Sequence, residues 1–274
     1  MKPTQGWGAV GAVLLAVALF SLNRGHGRVC TKRDMCREDE DGTMRCNWRR
    51  CPGCAVVVHS DKELEFDFRC RRGLPEGRGI FTLDSGDVYS GNFRQGAMHG
   101  HGRYLWRNGD EYEGQWVHDL MEGHGVLVMN DGARYEGSFN AGRMHGHGTF
   151  VWPSGANYTG GFADGLHEGD GVLHLADGSR YRGHFRGGLR HGWGRFEARD
   201  VASGELQLKY EGDWSGGKRH GQGRYTLEDG SVVKGAFEND LVHGTAIKTN
   251  PKGDVVARGE WKSGKLAQAQ AMSG

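Results

Sequence analysis

The chain has 274 residues, a formal net charge of +1, 49 glycines and five prolines. A near-neutral chain lacks the excess of basic side chains with which nucleic-acid-binding proteins displace phosphate counterions. The glycines follow no three-residue period, which excludes a collagen-like chain, and 10% aromatic residues argue against disorder.

The first predicted element is a hydrophobic helix. Behind a head of residues 1–5, in which Lys2 is the only charged side chain, residues 6–22 carry no charge. Seventeen residues lie at the lower limit for crossing a bilayer and are slightly long for the core of a signal peptide. Because the end of this run lacks the pair of small residues that signal peptidase needs, we favour a transmembrane anchor, with a cleaved signal peptide as the alternative.

A small cysteine-rich segment follows at residues 23–52, and the chain stays basic as far as Pro75. All six cysteines lie between residue 23 and Pro75, at Cys30, Cys36, Cys46, Cys51, Cys54 and Cys70. An even number of cysteines in a short segment after an export-type signal indicates a disulfide framework. Zinc is the alternative, because Cys51 and Cys54 have knuckle spacing and Cys46, Cys70 or His59 would complete a tetrahedral site. Unpaired thiols are the third interpretation.

The remainder of the chain is an internal repeat with a period of 23 residues. Its rows begin at Glu76, His99, Glu122, His145, Glu168, His191, His220 and His243, with six extra residues inside the sixth row. The repeat therefore covers residues 76–266 in about eight units, and residues 267–274 form a C-terminal tail. A fixed period of this length is typical of a solenoid.

Each row predicts one β-hairpin. In the second row, polar and apolar residues alternate over residues 99–106 and again over residues 110–116, and Asn108-Gly109 separates the two runs. Alternation interrupted by Asn-Gly or Asp-Gly is the short-range signature of a hairpin. An isolated hairpin is marginally stable, so the units must pair edge to edge. The prediction is an all-β protein, a single-layer antiparallel β-sheet solenoid.

One face of this sheet is predicted to be aromatic and the other polar. The aromatic stripe consists of Tyr89, Phe93, Tyr112, Trp116, Tyr135, Phe139, Tyr158, Phe162, Tyr181, Phe185, Tyr210 and Trp214. A glycine stands between the two aromatic residues of each strand, at Gly91, Gly114, Gly137, Gly160, Gly183 and Gly212. Because glycine has no β-carbon, we interpret these positions as slots across which a neighbouring ring lies.

The sequence Y-x-G-x-F followed by H-G-x-G, as in residues 135–139 and 145–148, resembles the MORN repeat. The resemblance covers residues 76–266 and implies an elongated antiparallel sheet. It further implies attachment to lipid head groups, to proteins or to another copy of the chain. Nothing in this sequence resembles the enzyme domains that some members of the family carry.

The histidines and carboxylates are predicted to serve the repeat and not catalysis. Equivalent positions in successive units lie roughly 10 Å apart, too far for a shared metal ion. Acidic residues such as Glu113, Glu136 and Glu211 recur along the polar face, as solvated charges do. We therefore predict no enzyme, no catalytic residue, no metal site in the repeats and no cofactor, apart from the zinc alternative in the cysteine-rich segment.

The leading functional hypothesis is a membrane-anchored, non-enzymatic scaffold that binds a protein partner, or a second copy of itself, through the aromatic stripe or the open end of the sheet. Phospholipid recognition by the repeats is the alternative. Residues 76–274 contain 22 Lys and Arg against 25 Asp and Glu, which weakens that alternative because anionic head groups favour clustered cations. Basic residues after the anchor favour a cytoplasmic repeat domain, whereas paired cysteines favour the extracytoplasmic side, which we prefer.

Residues 53–75 are predicted to form a degenerate hairpin that caps the first repeat. In the repeat register the second and eighteenth places of a row face each other, and in this unit those places are Cys54 and Cys70. Opposed strand residues have β-carbons close to the separation that a disulfide needs. A Cys54–Cys70 bridge is therefore predicted. The alternatives are a bridge from Cys54 to Cys46, or a zinc ion shared with Cys51.

Overall fold

The structure is a computed structural model. It describes residues 36–38, 44–46, 57–58, 68–71, 74–83, 85–201 and 203–270. Every helix or strand within these residues is a β-strand. The predicted all-β antiparallel class is therefore confirmed. The predicted hydrophobic helix at residues 6–22 lies outside the described residues, as does most of the cysteine-rich segment, and within the described chain no helix is long and apolar enough to cross a bilayer.

The chain divides into two compact units. The first comprises Met1–Asn130 and Ser138–Arg143, and the second comprises Asp131–Gly137 and Met144–Gly274. The first unit contains β1 (Cys36–Glu38), β2 (Met44–Cys46), β3 (Val57–Val58), β4 (Phe68–Arg71), β5 (Leu74–Thr82), β6 (Val88–Arg94), β7 (Ala97–Leu105), β8 (Glu111–Val117) and β9 (Leu120–Val128). Residues of both units occur in β10 (Arg134–Asn140) and β11 (Arg143–Val151). The second unit continues with β12 (Asn157–Ala163), β13 (Leu166–His174), β14 (Arg180–Arg186), β15 (Leu189–Arg199), β16 (Leu206–Ser215), β17 (Lys218–Thr226), β18 (Val232–Glu238), β19 (Leu241–Thr249), β20 (Val255–Lys262) and β21 (Lys265–Ala269).

Neighbouring strands in the sequence are neighbours in the sheet. From β4 to β9, and from β11 to β21, each strand pairs antiparallel with the next. Gly102 faces Gly114 and Tyr104 faces Tyr112, as the repeat register predicted. Within a row the second and eighteenth places also face each other, as Gly100 and Trp116 do. Strands β5 to β20 thus form the two strands of each of eight repeats.

Two kinds of turn alternate along the sheet. Inside a repeat the predicted glycine turn is present: Gly109 has a φ of 93° and its N–H donates to the Trp106 carbonyl at 2.9 Å. Between repeats the chain reverses over two residues such as Gln95 and Gly96, both with positive φ (53° and 88°). Positive φ at both positions is the type I′ geometry, whose twist matches that of the flanking strands. The sequence analysis identified the first turn and missed the second, although three turns of the second kind are Asp-Gly or Gly-Gly pairs, at residues 164–165, 187–188 and 216–217.

The first strand of each repeat bends near its middle. In β7 the pairing with β6 shifts register between Gly102 and Met98, and Gly100 lies at the shift with a φ of 67°. Only glycine adopts that conformation at little cost. The two glycines of the x-G-x-G pattern therefore have different tasks: Gly100 allows the bend, whereas Gly102 lies beside a ring.

The predicted cap hairpin at residues 53–75 lies mostly outside the described residues. In the described residues β3 pairs with β2, and β4 pairs with β5 so that Cys70 faces Pro75. The predicted partner Cys54 lies outside the described residues, so the Cys54–Cys70 bridge stays a prediction. The register of β1 and β2 places two other cysteines, Cys36 and Cys46, directly opposite each other.

Candidate binding surface

The aromatic stripe is the core of the protein and not an exposed contact surface. All twelve of its side chains are between 0% and 7% exposed. Each tyrosine ring meets the Phe or Trp ring of the following repeat edge to face, as Tyr89 meets Trp116 at 5.5 Å and 84°. Edge-to-face pairs of this kind stabilise a core beyond the area that they bury. The expectation that an uncovered stripe supplies the contact surface, and with it self-association through the stripe, does not hold for this structure.

The rings are buried because glycines leave room for them on two adjacent strands. Tyr112 lies across Gly114 on its own strand and across Gly125 on the next, and a β-carbon on either glycine would overlap the phenol. The Tyr112 hydroxyl donates to the carbonyl of Gln115 at 3.0 Å. The sequence analysis identified only the first glycine of each pair. The signal for the second was the fourth place of a row, where the x-G-x-G pattern ends, which is glycine in the first seven rows and Ala246 in the eighth.

Burial shifts the pKa of the stripe tyrosines and of one histidine away from their ordinary values. It raises the pKa of Tyr135 to about 12, and raises the pKa of Tyr112 further still. The buried His167 stacks on Tyr158 at 3.8 Å, and burial lowers its pKa to about 4. In the described part of the chain, no three His, Cys, Asp or Glu side chains are placed to share a metal ion.

The residues that open the rows serve the turns between repeats. Glu76 accepts the N–H of Gln95 at 2.9 Å, and Glu122 accepts the N–H of Ala141 at 3.0 Å. Each carboxylate thereby satisfies a backbone donor that the type I′ turn leaves free. In a histidine row, the ring of His99 instead packs edge to face against His118 at 5.9 Å.

The last place of each row changes character along the chain. It is methionine at Met98, Met121 and Met144, and becomes His167, Arg190 and Arg219 in the second unit. The Arg190 guanidinium lies 4.1 Å from the Trp214 ring and that of Arg219 lies 4.3 Å from the Tyr225 ring. Burial lowers the pKa of Arg190. These cations belong to the core through cation–π contacts, a role that the sequence analysis did not identify.

The outward face of the second unit carries an exposed aromatic side chain. Trp193 lies on β15 opposite Asp213 and is 56% exposed, whereas the stripe residue Trp214 is 5% exposed. The Asp213 carboxylate accepts the N–H of Gln222 at 2.9 Å. Alternation along β15 could have identified Trp193, since it is an aromatic residue at a place that points away from the stripe.

A row of basic side chains crosses the same face. One cross-strand row of seven places carries five exposed basic residues, which we call the cationic row, and Glu211 and Ile247 occupy the other two places. The basic residues are Arg182, Arg195, Arg224, Lys234 and Arg258. One acid, Glu211, stands between Arg195 and Arg224, and it pairs with Arg195 at 3.1 Å. The face therefore combines an aromatic side chain with unevenly distributed charge.

Comparison with known proteins identifies the class of this repeat. The family model for the MORN repeat matches residues 71–88, 89–111, 112–134, 135–156, 158–180, 181–200 and 210–232. These matches cover more than half of the chain, which therefore belongs to the MORN repeat family. The eighth row lies beyond the matches, yet it forms β19 and β20. Among curated proteins, none matches the sequence.

Two solved structures are similar in a limited way. The first is the SAS-4 (dCPAP) TCP domain of Drosophila melanogaster in complex with a proline-rich motif of Ana2 (dSTIL), with 12% identity over 65% of this chain and 86% of that chain and a TM-score of 0.33. The second is the wild-type TCP10 domain of Danio rerio CPAP, with 14% identity over 82% and 99% and a TM-score of 0.28. TM-scores this low do not establish a shared fold.

Proposed function

We propose that this protein is a non-enzymatic scaffold that binds a protein partner through the outward face of its second unit. The observation that carries the proposal is the exposure of Trp193, at 56%. Binding energy at protein interfaces concentrates in a few residues, and Trp and Arg are enriched among them. Trp193 shares β15 and its outward face with Arg195. Because the stripe is buried, this face is the better candidate for recognition.

The N-terminal region completes the proposal. Residues 6–22 anchor the chain as a single transmembrane pass, and the cysteine content favours repeats on the extracytoplasmic side. Protease protection of a C-terminal tag in sealed membranes tests this arrangement. A tag that is protected in inside-out vesicles and digested in intact cells agrees with it, and the reverse pattern contradicts it.

Phospholipid recognition is the second candidate, and the cationic row is the observation that favours it. Five basic side chains in one row could contact anionic head groups. The acidic side chains on the same face, among them Asp170, Asp213 and Glu260, weigh against it, since an anionic bilayer would repel them. Protein binding is therefore the primary proposal.

Site-directed crosslinking in intact cells tests the primary proposal. A photo-crosslinking residue at the exposed position 222, two strands from Trp193 in the sheet, is expected to give one defined protein adduct. The Trp193→Phe variant should retain this adduct, and Trp193→Ala should lose it. The same residue at Ala176, an exposed turn position in the same unit, serves as the control. Equal adducts at both positions, or adducts with lipid alone, would contradict the proposal.

A further inference from the structure

We infer that the cationic row is the docking site for an acidic, extended segment of a partner protein. The inference rests on the proposed function and specifies the chemistry of the partner. It begins from the register of the sheet: Arg182 faces Arg195 directly, and Arg224 faces Lys234 directly. Both pairs place like charges at opposed positions on neighbouring strands, which destabilises a sheet.

Among the described residues, the second unit offsets this arrangement only in part, through Glu211, which faces both Arg195 and Arg224. Over the described residues 203–270 and the strands that precede them, Arg182, Arg224, Lys234 and Arg258 have no carboxylate within ion-pair distance. Arg195 alone is paired, with Glu211 at 3.1 Å. Four unpaired cations on one row leave a surface whose charge an external acid would neutralise.

The equivalent row of the first unit shows that the repeat does not require these charges. There Arg103 faces Ser90 on one side and Glu113 on the other. Its guanidinium also donates twice to Glu111, with both distances at 2.7 Å. The first unit therefore neutralises its one cation internally, whereas the second unit accumulates cations at the same places of the repeat.

The row fits a polypeptide better than a membrane. From Arg182 on β14 to Arg258 on β20 the row crosses six strand spacings, or about 29 Å at ~4.8 Å each. An extended segment rising ~3.3 Å per residue covers that distance with about nine residues. Such a segment is one strand wide and avoids Asp170, Asp213 and Glu260, which lie on the neighbouring places of the face. A bilayer would contact all of them.

Trp193 supplies an anchor beside the row. It lies two residues before Arg195 on β15, so both side chains point outward. Asp213, which faces Trp193, accepts a backbone N–H from Gln222, and among the described side chains it forms no ion pair with the cationic row. A partner with an acidic run and one apolar side chain is therefore complementary to this face.

Binding of a defined acidic peptide to the full-length protein in detergent tests the inference. The probe is fluorescein-labelled deca-glutamate, and fluorescence anisotropy measures its dissociation constant at several salt concentrations. The triple variant Arg182→Gln, Arg224→Gln and Lys234→Gln should weaken binding about tenfold or more, because three exposed charge contacts are lost. It should also melt no lower than the wild type, since it removes two like-charge pairs.

A second triple variant, Arg186→Gln, Lys252→Gln and Lys265→Gln, is the matched control. These exposed residues lie away from the cationic row, and their loss changes the net charge equally. The control should weaken binding less than about twofold. Equal losses in both variants, undetectable binding to the wild type, or binding to phosphatidylserine vesicles but not to the peptide would overturn the inference. If the adduct at position 222 still forms in any of these cases, the acidic partner is refuted and the protein-binding function remains.

Discussion

Replacing Gly137 with alanine should destabilise the protein more than replacing its neighbour Glu136 does. A β-carbon on Gly137 would lie 2.6 Å from the Gly148 α-carbon, 2.7 Å from the His147 carbonyl oxygen and 2.5 Å from the Tyr135 hydroxyl. Two of these atoms belong to the backbone of the next strand and cannot rotate away. Gly137 does not have a positive φ, so the penalty is steric and not conformational.

The size of the effect follows from these contacts. Overpacking a close-packed core typically costs about 1–3 kcal/mol, and relief requires the strands to separate or the Tyr135 ring to leave its place. Glu136 is exposed and pairs only with Arg134, so Glu136→Ala should cost less than about 1 kcal/mol. Thermal unfolding followed by circular dichroism measures both variants, at about 2–4 °C per kcal/mol for a protein of this size. Equal melting temperatures would refute the reasoning from the glycine slot.

Three further predictions concern single contacts. Burial holds the pKa of His167 at about 4, below the 6.5 of an accessible imidazole. Between these two values the unfolded chain binds more protons than the folded chain, so the free energy of unfolding should fall as the pH drops from about 6.5 to 4. His167→Met should flatten this part of the curve of melting temperature against pH. An unchanged slope would contradict the assignment of this pH dependence to His167. Arg219→Met removes the cation–π contact with Tyr225 and two hydrogen bonds to Asp240, and should lower the free energy of unfolding by about 1–3 kcal/mol in urea titrations. An unchanged free energy of unfolding would contradict a stabilising role for these contacts. Peptide mapping without reduction should recover Cys36 linked to Cys46, and free thiols at both positions would contradict the register of β1 and β2.

The sequence was sufficient to predict the repeat, the hairpin and the cross-strand register. Period-two alternation determines which side chains share a face, and the Asn-Gly and Asp-Gly pairs mark one turn of each repeat. The turns between repeats include Asp164-Gly165 and Gly187-Gly188, residue pairs typical of type I′ turns that the sequence analysis missed. Residue type does not predict how a glutamate nineteen residues away satisfies a backbone donor of the turn, as Glu76 does for Gln95. That contact depends on how consecutive repeats pack, which no local pattern encodes.

The burial of the stripe was missed for a related reason. Alternation shows that Tyr112, Gly114 and Trp116 share a face, but it does not show what covers that face. The cover is the next repeat: the Tyr112 ring reaches Gly125 on β9 and meets Phe139 edge to face at 5.0 Å. A sheet whose rings fill the glycine gaps of the following strand buries its own apolar face and needs no second layer.

This packing restricts where the repeats can differ from one another. The tyrosine and slot-glycine places are nearly invariant along the chain, because any side chain at the glycine would displace a ring. The outward place between them is unrestricted, and its occupants differ in size and charge: Ser90, Glu113, Glu136, Thr159, Arg182, Glu211, Lys234 and Arg258. The basic occupants all fall in the second half of this series, where the cationic row lies. Recognition is therefore expected to depend on the residues that the fold leaves free, since the residues of the stripe are already committed to holding one repeat against the next.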